Sequence, residues 1–269
     1  MTATIPATTI SPEDRETIRL ASEHLEHPSL AARLTSVVGT PMEFALRLLP
    51  RKWYKRIHKT MEMAIAKTLD VTVSGLRRDP GTRAREHFYT AIGMGTGAVG
   101  GFFGLPALLI ELPVSTTIMM SAIVDIARSE GEDIHTLEAR MACLEVFALG
   151  GRSEEDDAAD TGYYGLRLVL ATTIFSATRH LQQHGLAAEG APLLVELIAV
   201  LSSRFGVAVS EKVAAQLVPL AGAVGGAAIN TIFIHHFQEM ARHHFAIRRL
   251  ERKYGPERVK QVYEDFISA

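Results

Sequence analysis

One cysteine, Cys143, in 269 residues excludes an internal disulfide and fits a reducing compartment. A large excess of either sign of charge is missing too. The 28 Lys and Arg against 30 Asp and Glu leave a net −2, so no global field draws the chain to nucleic acid. The opening MTATIPATTISPEDRE lacks the basic and apolar regions of a secretion signal, which makes the cytoplasmic side the expected location. HExxH, GxSxG and P-loop patterns are absent, and the sequence nominates no catalytic residue and no cofactor. Regular alternation of apolar and polar residues is also lacking, and nearly every segment has helical length. The expected fold class is all-α, a helical bundle built around two glycine-rich apolar segments, inserted in a membrane or re-entrant as a hairpin.

Those two segments are the chain's most distinctive content. Phe88 to Ile110 runs for 23 positions without a formal charge and holds six glycines. Gly93, Gly97 and Gly101 fall four apart, as do Gly100 and Gly104. On a helix this spacing makes a side-chain-free groove that another helix can approach closely. Gly222, Gly226 and Asn230 repeat the spacing in a second charge-poor block, 213–234, which is the expected mate. Glycine inside a helix costs about 1 kcal/mol relative to alanine, so six in one segment need a compensating contact. Gly95 to Gly100 also fits GxGxxG, but no strand precedes it and no parallel-sheet pattern follows, so it carries no dinucleotide reading.

Length makes 88–110 a candidate bilayer span. Gly104-Leu105-Pro106 is a natural reversal, however, which turns the span into a hairpin with a second helix from Pro106 to Arg128. Arg83 and Arg85 before it and Arg128 after it favour both ends on the cytoplasmic side. Eight strong apolar residues contribute roughly −2 to −5 kcal/mol of insertion free energy, and one central acid at about +2.5 to +3.5 kcal/mol offsets most of that. Insertion is therefore marginal. Glu111 is the acid in question, with no cation before Arg128. As a buried polar residue it is expected to bond backbone freed by Pro113 or a partner helix.

Basic residues cluster twice. From Arg47 to Lys59 there are six Lys and Arg and no acid, with Trp53 and Tyr54 among them. Arg51, Lys52, Trp53, Lys55 and Arg56 suit an anionic headgroup layer, or else form a solvated face with one buried tryptophan. From Arg242 to Lys260 there are seven Lys and Arg against two Glu, and Arg248, Arg249 and Arg252 are candidates for the same contact. His235, Glu239 and His243 stand four apart and are the candidate metal ligands, although one helix seldom supplies the three or four ligands zinc takes. Five acids between Glu154 and Asp160 read as a solvated loop. Organisation is expected as a disordered 1–10, a helical segment with the basic–aromatic patch at 11–80, and a helical domain at 81–269.

LPALLIELPVSTTIMMSAIVDIARSEGEDI, then CLEVFALGG, the acidic loop and Gly162-Tyr163-Tyr164, resemble the EcsC protein family. GAVGGAAINTIFIHHFQEMARHHFAIRRLERKYG resembles that family's closing segment. The resemblance covers roughly residues 85 to 265. It implies a bacterial protein with loosely membrane-related biology and brings no catalytic signature. Where many relatives carry Asp-x-Pro, this chain has Glu111-Leu112-Pro113. Three functions follow as expectations. The first is a membrane-associated helical protein, accessory to a transporter or envelope process, with membrane lipid or a membrane protein as partner and no nucleic acid. The second is a soluble binding or interaction bundle, and the third a lipid-active or proteolytic enzyme without a recognisable motif.

Overall fold

Ser11 begins the first helix: its hydroxyl accepts from the Asp14 amide at 3.2 Å, and Pro12 occupies the first helical position. The computed structural model describes residues 9–27, 30–47, 49–74, 84–103, 105–151, 162–184, 192–218 and 223–268. Among these there are eleven helices and no strand. They are α1 (Pro12–Glu26), α2 (Leu30–Val38), α3 (Met42–Arg47), α4 (Arg51–Ser74), α5 (Glu86–Phe103), α6 (Leu105–Ser129), α7 (Leu137–Leu149), α8 (Tyr163–His184), α9 (Pro192–Leu217), α10 (Ala223–Tyr254) and α11 (Pro256–Ile267). The fold is all-α.

Several boundaries follow from local chemistry. Gly39 ends α2 at φ +66°, a conformation that favours glycine. Thr136 caps α7 by accepting from the Ala139 amide at 3.3 Å. Gly255, at φ +92°, separates α10 from α11, which starts on Pro256.

The 32-residue α10 is the axis of the bundle, with α1, α2, α5, α6, α7, α9 and α11 packed around it. Phe147 of α7, Phe205 of α9 and Phe233 and Phe237 of α10 interlock at the centre, with ring centroids 4.8 to 6.0 Å apart. Tilted and edge-on pairs of this kind contribute about 0.5–1.5 kcal/mol each beyond the area they bury. One hydrophobic core contains Ile18, Leu34 and Ile65 together with Phe147 and Phe245, so the 11–80 segment and the 81–269 segment share their interior. Ile10 also packs against this core, and residues 1–8 of the expected disordered tail lie outside the described residues.

The charge-poor blocks are arranged differently from two simple spans. The first divides into α5 and α6, which pack on each other. The second is shared between the end of α9 and the beginning of α10. Among the described residues, the helices long and apolar enough to cross a membrane are Leu109–Ser129, 61% buried, and Pro192–Leu217, 39% buried. The glycine-rich α5 is neither of them.

Candidate functional site: a buried polar network beside an amphipathic groove

The glycine spacing brings α5 against α10. A β-carbon on Gly97 would fall 2.6 Å from the Gly226 carbonyl oxygen and 3.1 Å from Cγ of Asn230, and one on Gly93 would run into Ile234. Buried Asn230 uses the opening: its side-chain amide donates to the Gly93 carbonyl and, at 3.1 Å, to Oγ1 of Thr96. Gly100 and Gly101 continue α5, whereas Gly104 and Gly222 lie outside the described residues.

Glu111 reaches a partner helix, not the backbone near Pro113. Its carboxylate accepts from Nζ of Lys212, on α9, at 2.8 and 2.9 Å. Both groups are buried, and the ammonium also sits 4.8 Å from the centroid of the Phe233 ring. Proximity in sequence had pointed only to Arg128, which instead donates to Asp125 at 3.0 Å.

The second basic cluster is largely committed within the protein. Arg248 donates to Glu132 at 2.8 Å, Arg249 donates to Glu130 at 2.8 Å, and Arg252 donates to Glu132 and to the Glu130 carbonyl. These arginines face acids carried on the turn after α6, which composition along α10 alone does not reveal. The first cluster is freer. Arg51 and Lys52 open α4, Lys55 and Arg56 are exposed, and Arg56 lies over the Trp53 ring at 5.2 Å while Trp53 leans on the core.

The candidate metal ligands also have other partners. Glu239 binds Arg33 and lies 3.6 Å from both His235 and His24, and His243 stacks on His24 with centroids 4.4 Å apart. Burial opposes its ionisation, yet hydrogen bonds from His235 and Arg33 hold Glu239 down at about 2. Among the described residues, no three His, Cys, Asp or Glu side chains converge as a metal site.

The polar network that does converge lies elsewhere, at the N-terminus of α8. Glu26, at the end of α1, accepts from the Tyr163 amide at 3.0 Å and from the Tyr263 hydroxyl at 2.9 Å, which places a carboxylate at the positive end of a helix. Tyr163 Oη lies 2.9 Å from Nδ1 of His244. Burial pushes the Tyr163 phenol up and the His244 imidazole well down, so a neutral hydroxyl and a neutral ring share this hydrogen bond. The other ring nitrogen, Nε2, has no hydrogen-bond partner among the described residues, and Oε2 of Glu145 lies 3.9 Å away. Glu145, on α7, is itself buried, and desolvation raises its carboxyl pKa.

Beside this network, Tyr164 donates to Glu251 at 3.0 Å, and Arg167 grips the same carboxylate at 2.8 and 3.1 Å. Glu145, Tyr164, Arg167 and Glu251 border a groove of about 1000 Å³. Leu168, Ala171, Ile174 and Phe175 of α8 form an apolar wall, facing Glu145, Arg248, Glu251 and Lys260. Chemically, it offers a buried carboxyl, Glu145, beside an imidazole and next to a hydrocarbon-compatible surface.

Sequence reasoning passed over Glu26, Glu145, Tyr163, Tyr164, Arg167 and Glu251 as site residues. A signal was present for Glu145, a lone acid in the apolar run CLEVFALGG and comparable to Glu111 in its own. Glu26 and His244 needed the fold, because 218 residues separate them.

These features define a class first: an all-helical protein wound about one long central helix, with buried ion and hydrogen-bond pairs joining distant segments. The chain belongs to the EcsC protein family, whose match runs over residues 13–250. The match begins in α1, so the N-terminal helices belong to the family's extent as well as the segments from residue 85 onward. No curated protein and no solved structure matches the chain.

Proposed function

We propose that this EcsC-family protein associates peripherally with the cytoplasmic face of a bacterial membrane, as an accessory to a transporter or envelope process. One observation carries the reading. Leu168, Val169 and Phe175 stand on α8 at 74, 62 and 68% exposed, in a stretch without formal charge from Leu168 to Thr178. Val195 on the adjoining α9 adds to the exposed apolar surface. Fully burying side chains of this size is worth about 1.5–3 kcal/mol each. Lys55 and Arg56 supply attraction to anionic headgroups at about 1 kcal/mol per cation close to the surface. A peripheral mode is favoured over spanning because α6 keeps its acid paired inside the protein.

Co-sedimentation with vesicles is the test. The full chain should pellet with phosphatidylserine-containing vesicles and be released from cell membranes by carbonate, and Phe175→Asp should cut vesicle binding several-fold while leaving the circular dichroism spectrum intact. Wild-type protein remaining wholly in the supernatant would overturn the membrane reading in favour of a soluble binding protein.

A further inference from the structure

Resting on the reading of α8 as a lipid-facing helix, we propose that the groove beside it binds a single amphiphile, its hydrocarbon chain along α8 and a hydrogen-bond-donating head, amine or hydroxyl, at Glu145. The apolar wall has the spacing of one helix face, with Leu168, Ala171 and Phe175 three and four residues apart. A volume of about 1000 Å³ places the groove at the upper end of ordinary small-molecule sites.

The identity of the head follows from what is already paired. Arg167 is held by Glu251 and Arg248 by Glu132, so the two cations whose fields reach Glu145 each already face a carboxylate, which weakens their pull on an anionic head. Lys260 lies 3.6 Å from Glu264. Glu145 is the buried group left over: its residue is only 7% exposed, among the described residues it accepts no hydrogen bond, and Nε2 of His244 lies 3.9 Å away. A buried carboxyl lining a groove without a partner is costly, and a ligand donor satisfies it. Arg179, at the far end of α8, is exposed to water and lies about 18 Å along the helix from Arg167, so an anionic head there would leave Glu145 unsatisfied.

Calorimetric titration of the full chain with decylamine, monodecanoylglycerol and decanoate, each below its micellar concentration and near neutral pH, tests the assignment. Decylamine or monodecanoylglycerol should bind one per chain and about tenfold or more tighter than decanoate; the arm that binds identifies the head as cationic or neutral. Glu145→Ala should abolish this preference, and Phe175→Asp should weaken all three ligands. Decanoate binding as tightly as the others overturns the proposal, as does a preference unchanged in Glu145→Ala. The wild-type ranking stands on its own should Glu145→Ala not fold. Vesicle binding measured on Glu145→Ala separates the two readings: it should be retained, because Glu145 lies beneath the exposed face. Amphiphile binding by a wild-type chain that ignores vesicles would remove the membrane reading alone.

Discussion

Lys212 places its ammonium nitrogen 2.8 Å from one carboxylate oxygen of Glu111 and 2.9 Å from the other, across 101 residues of chain. The pair joins α6 to α9, the two helices among the described residues that are long and apolar enough to span a bilayer, and each partner is the charge the other's environment cannot otherwise accommodate. Desolvating both groups is expensive, so the pair is better evidence for the pairing of these helices than for stability.

Removing one partner should therefore be worse than removing both. Glu111→Leu or Lys212→Met alone leaves a buried unpaired charge and should destabilise by about 3–5 kcal/mol, while the double variant should recover most of that loss. Urea unfolding of the four proteins closes the cycle, and additive losses would show that the two groups do not depend on each other.

Glycine substitutions should separate the contact face of α5 from its outer face. Gly97→Ala places a methyl against the Gly226 carbonyl, backbone that cannot rotate away, and should cost about 1–3 kcal/mol. Gly95→Ala meets nothing within 4 Å and should stabilise by about 0.5–1 kcal/mol through helix propensity. Thermal melts of the two variants read the difference directly; equal effects would argue against the α5–α10 packing.

Acid sensitivity should begin near the ordinary histidine range. Burial lowers His236 to about 4, where its Nε2 hydrogen donates to the Gly150 carbonyl at 2.8 Å, and burial with His24 close by lowers His243 to about 4. Because the folded values lie below the unfolded ones, the unfolded chain takes up protons first. Stability should be full above pH 6.5 and fall as the pH drops toward 4, by up to about 1.4 kcal/mol per pH unit for His236. A further loss should follow between about pH 4 and 2, where Asp14, held at about 2 by hydrogen bonds from Lys253 and Tyr254, becomes protonated. Denaturant midpoints at successive pH values measure both windows, and a His236→Asn variant should show a shallower slope in the first.

Cys143 should act as a silent reporter of unfolding. It is fully buried, and desolvation raises its thiol pKa, so thiolate is scarce in the folded chain. Ellman's reagent should react with less than one equivalent in native buffer on the timescale of mixing and with one equivalent in denaturant. Rapid native labelling would contradict the position given to α7.

How much was legible in advance varied with the range of the interaction. The α1 start, the break at Gly39 and the turn before α11 are local, set by Ser11-Pro12, by a positive φ at glycine and by Gly255-Pro256, and each can be read from neighbouring residues. The small-residue face of α5 was readable too, because small residues four apart describe a face whatever it touches. Arg248 was harder: its segment looks like a free basic helix until Glu132 of another segment is brought beside it.

Sequence alone determined that this protein is helical, that small residues four apart line one face of a helical segment, and that a lone acid at Glu111 requires a partner. These are consequences of helical periodicity and of the cost of burying a charge, both properties of the chain by itself. Only the tertiary structure decided which cation Glu111 meets, that most of the second basic cluster is spent on internal acids, and that Glu26, Tyr163, His244 and Glu145 form one network. Side-chain reach is a few ångströms, whereas the separations along the chain run from 81 to 137 residues, so those partnerships exist only once α1, α6, α7, α8, α9 and α10 are packed together.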